Sequence, residues 1–170
     1  MAYQNKINWS DPKKGSDVMS FSIDPFKSAV LDYNIEIEGE LEDIINRHFR
    51  NPKAFKTRGM GFNIRLKLAR ALIGETPDDE IWGIVTNLNE LRNKFAHSKS
   101  HQSVEGAEKI QEIVDKILEQ LRKIWPEISL ATVPENEKNL AIINQANLGV
   151  RRFFREIKTG LDSRCKADHS

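Results

Sequence analysis

Arg92, Asn93 and His97 place a guanidinium, an amide and an imidazole within two helical turns of the run Glu90-Leu91-Arg92-Asn93-Lys94-Phe95-Ala96-His97-Ser98. Together such groups can handle a phosphate. Arginine offers a permanently charged fork for phosphate oxygens. Histidine exchanges a proton near neutral pH, and asparagine can orient either the imidazole or a substrate by hydrogen bonding. At about 100° and 1.5 Å per helical residue, Asn93 and His97 fall one turn apart on one face, with Arg92 angularly adjacent to Asn93. Ile84, Leu88, Leu91 and Phe95 follow three- and four-residue spacing on another stripe, which predicts the packed side of the same helix. The polar trio is therefore expected to face away from the core. A plainer role is open to the same residues, with His97 satisfying orphan carbonyls at a helix end and Asn93 merely solvated.

The segment resembles the Arg-x4-His motif of the HEPN superfamily, small helical domains of prokaryotic toxin, phage-defence and RNA-processing systems, in which asparagine commonly follows the arginine. A second resemblance, to helical proteins grouped with the mannitol-operon repressor, rests on Gly61-Phe62-Asn63-Ile64-Arg65-Leu66-Lys67-Leu68-Ala69-Arg70-Ala71-Leu72 followed one helix later by Leu91-Arg92-Asn93-Lys94-Phe95-Ala96-His97. The first resemblance implies metal-independent RNA cleavage at a site completed across a homodimer, in which Arg92 stabilises charge on the phosphate, His97 acts as general acid or base and Asn93 positions it. A cognate antitoxin would be a natural partner. The second implies a non-enzymatic regulator or protein-interaction module. A third possibility is a structural dimer built on apolar helix faces. Ala96-His97-Ser98 lacks the tyrosine found soon after the histidine in one toxin group, so control through that tyrosine is not expected.

The 170 residues suit one domain with a sizeable core. Apolar runs fall well short of the roughly 20 residues that span a bilayer, and the polar start Met1-Ala2-Tyr3-Gln4-Asn5-Lys6 does not resemble a secretory signal. One cysteine, Cys165, excludes an internal disulfide and makes a reducing cytoplasm the expected compartment. His48, His97, His101 and His169 are scattered without metal-ligand spacing, so neither a metal nor another cofactor is expected.

Charge is near balance overall, at +1, but unevenly placed. Between Ile44 and Gly74 no acid occurs, while Arg47, Arg50, Lys53, Lys56, Arg58, Arg65, Lys67 and Arg70 are all present. With His48, Phe49 and Phe55 interleaved, the block could hold a polyanion. Arg47, Arg50, Lys53, Lys56, Arg58 and Arg65, joined by Lys94 beside the polar trio, are the candidate nucleic-acid contacts. The alternative is a face of salt bridges to the flanking acids Glu36, Glu38, Glu40, Glu42, Asp43, Glu75, Asp78, Asp79 and Glu80.

Periodicity and punctuation predict an all-α bundle of about five helices. An irregular arm covers residues 1–21, the helical domain 22–160 and a polar tail 161–170. The first helix starts at Ser22 to Asp24 ahead of Pro25 and stops at Asn51-Pro52. The second runs from about Phe62 to Ile73, with Ile64, Leu68, Leu72 and Ala71 on the packed side, Arg65, Lys67 and Arg70 more exposed, and Gly74 closing it. The third starts at Thr76-Pro77-Asp78-Asp79-Glu80 and ends near His97. The fourth spans about Val104 to Trp125 before Pro126, and the fifth uses Leu140, Ile143, Leu148, Val150 and Phe154 as packing positions. Trp82 and Trp125 are expected in the core or an interface, Arg151-Arg152-Phe153-Phe154-Arg155 is either an amphipathic helix or a stacking surface, and Cys165 has no activating partner.

Overall fold

The computed structural model describes residues 24–49, 51–54, 59–74, 79–96 and 104–167, without the side chains of 54 and 162–167. Five α-helices lie among them: α1 (Pro25–His48), α2 (Phe62–Ile73), α3 (Asp79–Ala96), α4 (Val104–Ile124) and α5 (Lys138–Ala167). The chain is an all-α, single-domain bundle. Among the described residues no helix is long and apolar enough to cross a membrane. The expected arm at 1–21 lies outside the described residues. At the other end α5 continues to Ala167, past residue 161 where the sequence suggests a tail, because no proline or glycine interrupts it after Gly160.

Local chemistry accounts for the helix limits. Asp24 caps α1, its carboxylate accepting from the Phe26 and Lys27 amides at 3.0 and 3.4 Å, with Pro25 in the first turn. Phe49 is already extended, which ends α1 ahead of Asn51-Pro52. Gly74 ends α2 with φ 84°, a region that side-chain-bearing residues avoid.

Contacts along the helices fix their directions. Phe26 meets Phe95 edge-on at 5.4 Å and Asn34 reaches the Leu88 carbonyl, so α1 and α3 are antiparallel. Tyr33 donates to Asn144 and Lys158 pairs with Glu40, so α1 and α5 are parallel. Trp82 packs on Phe153 and Phe154 at 5.3 and 5.8 Å, joining α3 to α5 at the centre of the core. The two aromatics of Arg151-Arg152-Phe153-Phe154-Arg155 are thus buried while its arginines are exposed, which makes it an amphipathic helix face. A charged ladder closes the outer side of α1 and α5, with Arg151 on Glu36 at 3.6 Å and Lys158 on Glu40 and Asp43 at 2.6 and 3.4 Å. The hydrogen bond that the Lys158 ammonium donates to Glu40 holds its pKa above the ordinary lysine range.

Three packing expectations need correction. Ile64 is 57% exposed, Leu148 is 61% exposed, and Ala71 is exposed as well. On α2 the buried positions are Leu66 and Ala69, flanked by half-buried Phe62 and Ile73, so the packed stripe is rotated from the one containing Ile64. In consequence Arg65, expected on the open side, turns inward. Leu148 lies instead beside the groove formed by Trp125, Ile128, Leu130 and Gly149.

Buried Asn34 ties α1 to α3 through its side-chain amide, which donates to Val30 O at 2.9 Å and Leu88 O at 3.0 Å. Asn34→Asp replaces that donor with a carboxylate facing two carbonyl oxygens. Denaturant melts should show a loss above about 2 kcal/mol at neutral pH. The gap to wild type should narrow near pH 4, because the buried carboxyl has a raised pKa and takes up a proton that restores a donor. Equal gaps at both pH values would contradict this arrangement.

Two helical glycines should respond differently to alanine. A Cβ at Gly149 would sit 2.2 Å from Trp125 Cη2, whereas one at Gly83 meets the flexible end of Gln120 at 2.1 Å. Gly149→Ala should cost about 1–3 kcal/mol through displacement of the Trp125 ring. In Gly83→Ala, the gain of about 1 kcal/mol in helix propensity offsets rotation of Gln120 away from Asn87, leaving stability near wild type in the same melts.

Candidate functional site

The last turns of α3 show how one helix serves two environments. Ile84, Leu88, Leu91 and Phe95 are buried in the core, as their spacing predicts. Arg92 is consequently exposed and Asn93 half-buried at the surface, and the Arg92 guanidinium donates to Asn93 Oδ1 at 3.2 Å. His97 lies outside the described residues, so the candidate trio is described through two of its members.

Arg92 and Asn93 open onto a cleft of about 510 Å³ lined also by Asn89, by Glu38 of α1 and by Met60, Gly61, Phe62, Asn63 and Ile64 at the start of α2. Gly61 stands at the N-terminus of α2 with no side-chain cap. Glu38 is engaged by Arg65, Nη1 to Oε2 at 3.2 Å, so the single carboxylate among the lining residues is neutralised by a neighbouring cation. Asn89 has no place in the sequence expectations, whereas Glu38 enters them only as a flanking acid and Gly61 only as the first residue of the second resemblance. Asn89 had a signal, since it precedes Asn93 by four residues and so shares its helix face. Nothing in the sequence places Glu38 or Gly61 beside Arg92, because only helix packing brings α1 and the start of α2 to α3.

Among the described residues, three arginines of the basic block are paired with acids. Arg47 pairs with Asp43 at 3.1 Å, Arg65 with Glu38, and Arg70 with Asp79 at 2.9 Å while lying 5.8 Å from the centre of the Trp82 ring. Lys53, in the short 3₁₀ turn Pro52–Ala54, and Lys67 on α2 are exposed. Arg50, Lys56 and Arg58 lie outside the described residues. Lys94 is half-buried and does not line the cleft. It acts on the start of α4, where Glu105 is held below the ordinary carboxylate range chiefly by a hydrogen bond from Lys109, with a smaller contribution from the Lys94 charge.

No protein-family model, no curated protein and no solved structure matches the chain.

The arginines of the block differ in what they do for the fold. The Arg65 side chain is 13% exposed and joins α2 to α1, whereas Arg47 makes a pair within a single helix at the surface. Arg65→Ala should lower stability by about 1–3 kcal/mol, through lost stem packing and a stranded Glu38. Arg47→Ala should change it by less than about 1 kcal/mol. Urea melts of the two variants compare them directly, and equal losses would contradict the separate roles.

Proposed function

We propose that the chain is a HEPN-like RNA-binding protein acting as a metal-independent endoribonuclease in a toxin or defence system, with its site completed across a homodimer. The observation that carries this reading is the orientation of α3: Arg92 and Asn93 reach solvent side by side, at the lip of a cleft, while the alternate face fills the core. A guanidinium presented in this way is suited to a phosphate. His97, in the motif that ends α3, would take the proton from an RNA 2′-hydroxyl or deliver one to the leaving 5′-oxygen. The 2′-oxygen forms a bond to phosphorus, the bond to the 5′-oxygen breaks, and the products are a cyclic phosphate and a 5′-hydroxyl. Arg92 would stabilise the added charge on the phosphoryl oxygens, and Asn93 would fix the imidazole. DNA lacks the internal nucleophile and should survive. A reducing cytoplasm and a cognate antitoxin belong to the same reading.

A second reading, a non-enzymatic regulator or protein-interaction module like the mannitol-operon repressor group, is favoured by the internal pairing of Arg47, Arg65 and Arg70. Their engagement with Asp43, Glu38 and Asp79 reduces the positive charge offered to a polyanion.

The deciding experiment incubates labelled RNA in chelator with wild type, Arg92→Ala and His97→Ala, each first shown to fold by its melting curve. The ribonuclease reading expects products ending in cyclic phosphate from wild type, a fall of at least about a hundredfold in rate for either variant, and intact DNA. RNA left whole by wild-type dimer would sink the enzyme and favour the regulator.

A further inference from the structure

The cleft between α1, the start of α2 and the end of α3 contains more hydrogen-bonding capacity than the fold consumes. Asn89 lines it at 7% exposure, yet its side-chain amide has no hydrogen-bond partner among the described residues. Asn89 is not among the residues with fully buried unpaired atoms, so its amide opens onto the cleft, where a ligand can supply the partner that the fold does not. The start of α2 lines the same cleft and presents a second set of unused donors. The Ile64 and Arg65 amides bond back to the Gly61 carbonyl at 3.0 and 3.2 Å, and Gly61 has no side chain with which to cap the helix. The Phe62 and Asn63 N–H groups are left without a protein acceptor among the described residues. They carry the positive end of the α2 dipole, and no acidic residue occupies that first turn.

Charge and geometry select the ligand. Asn93 Oδ1 already accepts from Arg92, while its NH₂ donor is not engaged by the fold among the described residues. Glu38 is compensated by Arg65, which leaves Arg92 as the excess charge at the cleft. Donors therefore converge from two helices on one positively charged space, beside Met60, Phe62 and Ile64 as apolar neighbours. A group with several acceptor oxygens and negative charge fits, whereas a cation or a hydrogen-bond donor does not.

The geometry points to a phosphate seat, in which the Phe62 and Asn63 backbone amides, the Asn89 side-chain amide and Arg92 hold a phosphate group of an oligoribonucleotide. It deepens the RNA reading and rests on it for the identity of the phosphate bearer. The seat belongs to one protomer, and it places an RNA phosphate next to Asn93 before any dimer contact is made. The apolar neighbours would receive the attached nucleoside.

Amide chemical-shift titration of the full chain tests it, with inorganic phosphate and with a short oligouridylate bearing either a 5′-phosphate or a 5′-hydroxyl. Phosphate should shift the Phe62 and Asn63 backbone signals and the Asn89 side-chain signals. A response to the 5′-phosphorylated oligomer alone assigns a terminal phosphate, and a response to both oligomers assigns an internal one. Gly61→Asp supplies the missing cap and puts a carboxylate against the same amides, with open space around the new side chain. It should weaken phosphate binding at least about tenfold while leaving the melting temperature equal or higher, which separates loss of the seat from loss of the fold. Asn89→Leu should weaken binding as a second, independent variant. Shifts confined to other parts of the molecule, or unchanged affinity in Gly61→Asp, would overturn the seat. RNA cleavage with these signals unmoved leaves the ribonuclease standing and removes the seat; phosphate binding here without any RNA binding does the reverse.

Discussion

The register of α3 controls the molecule. Trp82, Leu88, Leu91 and Phe95 must all point inward to close the core, and Asn34 of α1 locks the helix by donating to the Leu88 carbonyl. Once that rotation is set, 3.6 residues per turn leave Arg92 and Asn93 no position other than the surface. Apolar burial and polar presentation are thus two consequences of one rotational choice. The burial supplies the driving force, and the hydrogen bond from Asn34 adds a directional constraint that apolar contacts alone lack.

The charged residues divide between holding helices together and remaining available. Arg65, Arg151 and Lys158 connect α2 and α5 to the acids of α1, and Arg70 reaches across to α3. Such pairs contribute little stability each when exposed, but they restrict the relative placement of neighbouring helices. Arg92 differs because its hydrogen-bonded neighbour is the neutral Asn93 instead of a carboxylate. The arginine is oriented without being neutralised, which is the condition that anion recognition requires. Around it the fold brings donors together, from Asn89 and from the uncapped start of α2, on a compact all-α scaffold.

Much of the bundle was legible from local sequence. The limits of α2 coincide with the expected Phe62 to Ile73, and α1 starts at the Asp24-Pro25 signal because capping chemistry acts within one turn. The packed stripe of α3 was legible as well, since that helix buries a long, regularly spaced apolar set. The face of α2 was not. Ile64, Leu66, Leu68 and Leu72 are spread around a short helix, so more than one rotation buries two or three of them, and contact with α1 selects Leu66 and Ala69. Leu148 fails for a related reason, because α5 carries apolar residues on adjacent faces and the core admits only one of them.

What the chain settles by itself is therefore whatever depends on neighbours within a turn or two: the five helices, their caps and breaks, and the separation of Arg92 and Asn93 from the apolar stripe of α3. Tertiary structure decided what depends on partners distant in the chain. It turned Arg65 inward to Glu38, paired the acids of α1 with α5, and brought Gly61 and Asn89 to a common cleft. Hydrophobic periodicity specifies which side of a helix seeks cover, but it carries no information about which helix provides it or which polar groups are thereby brought face to face.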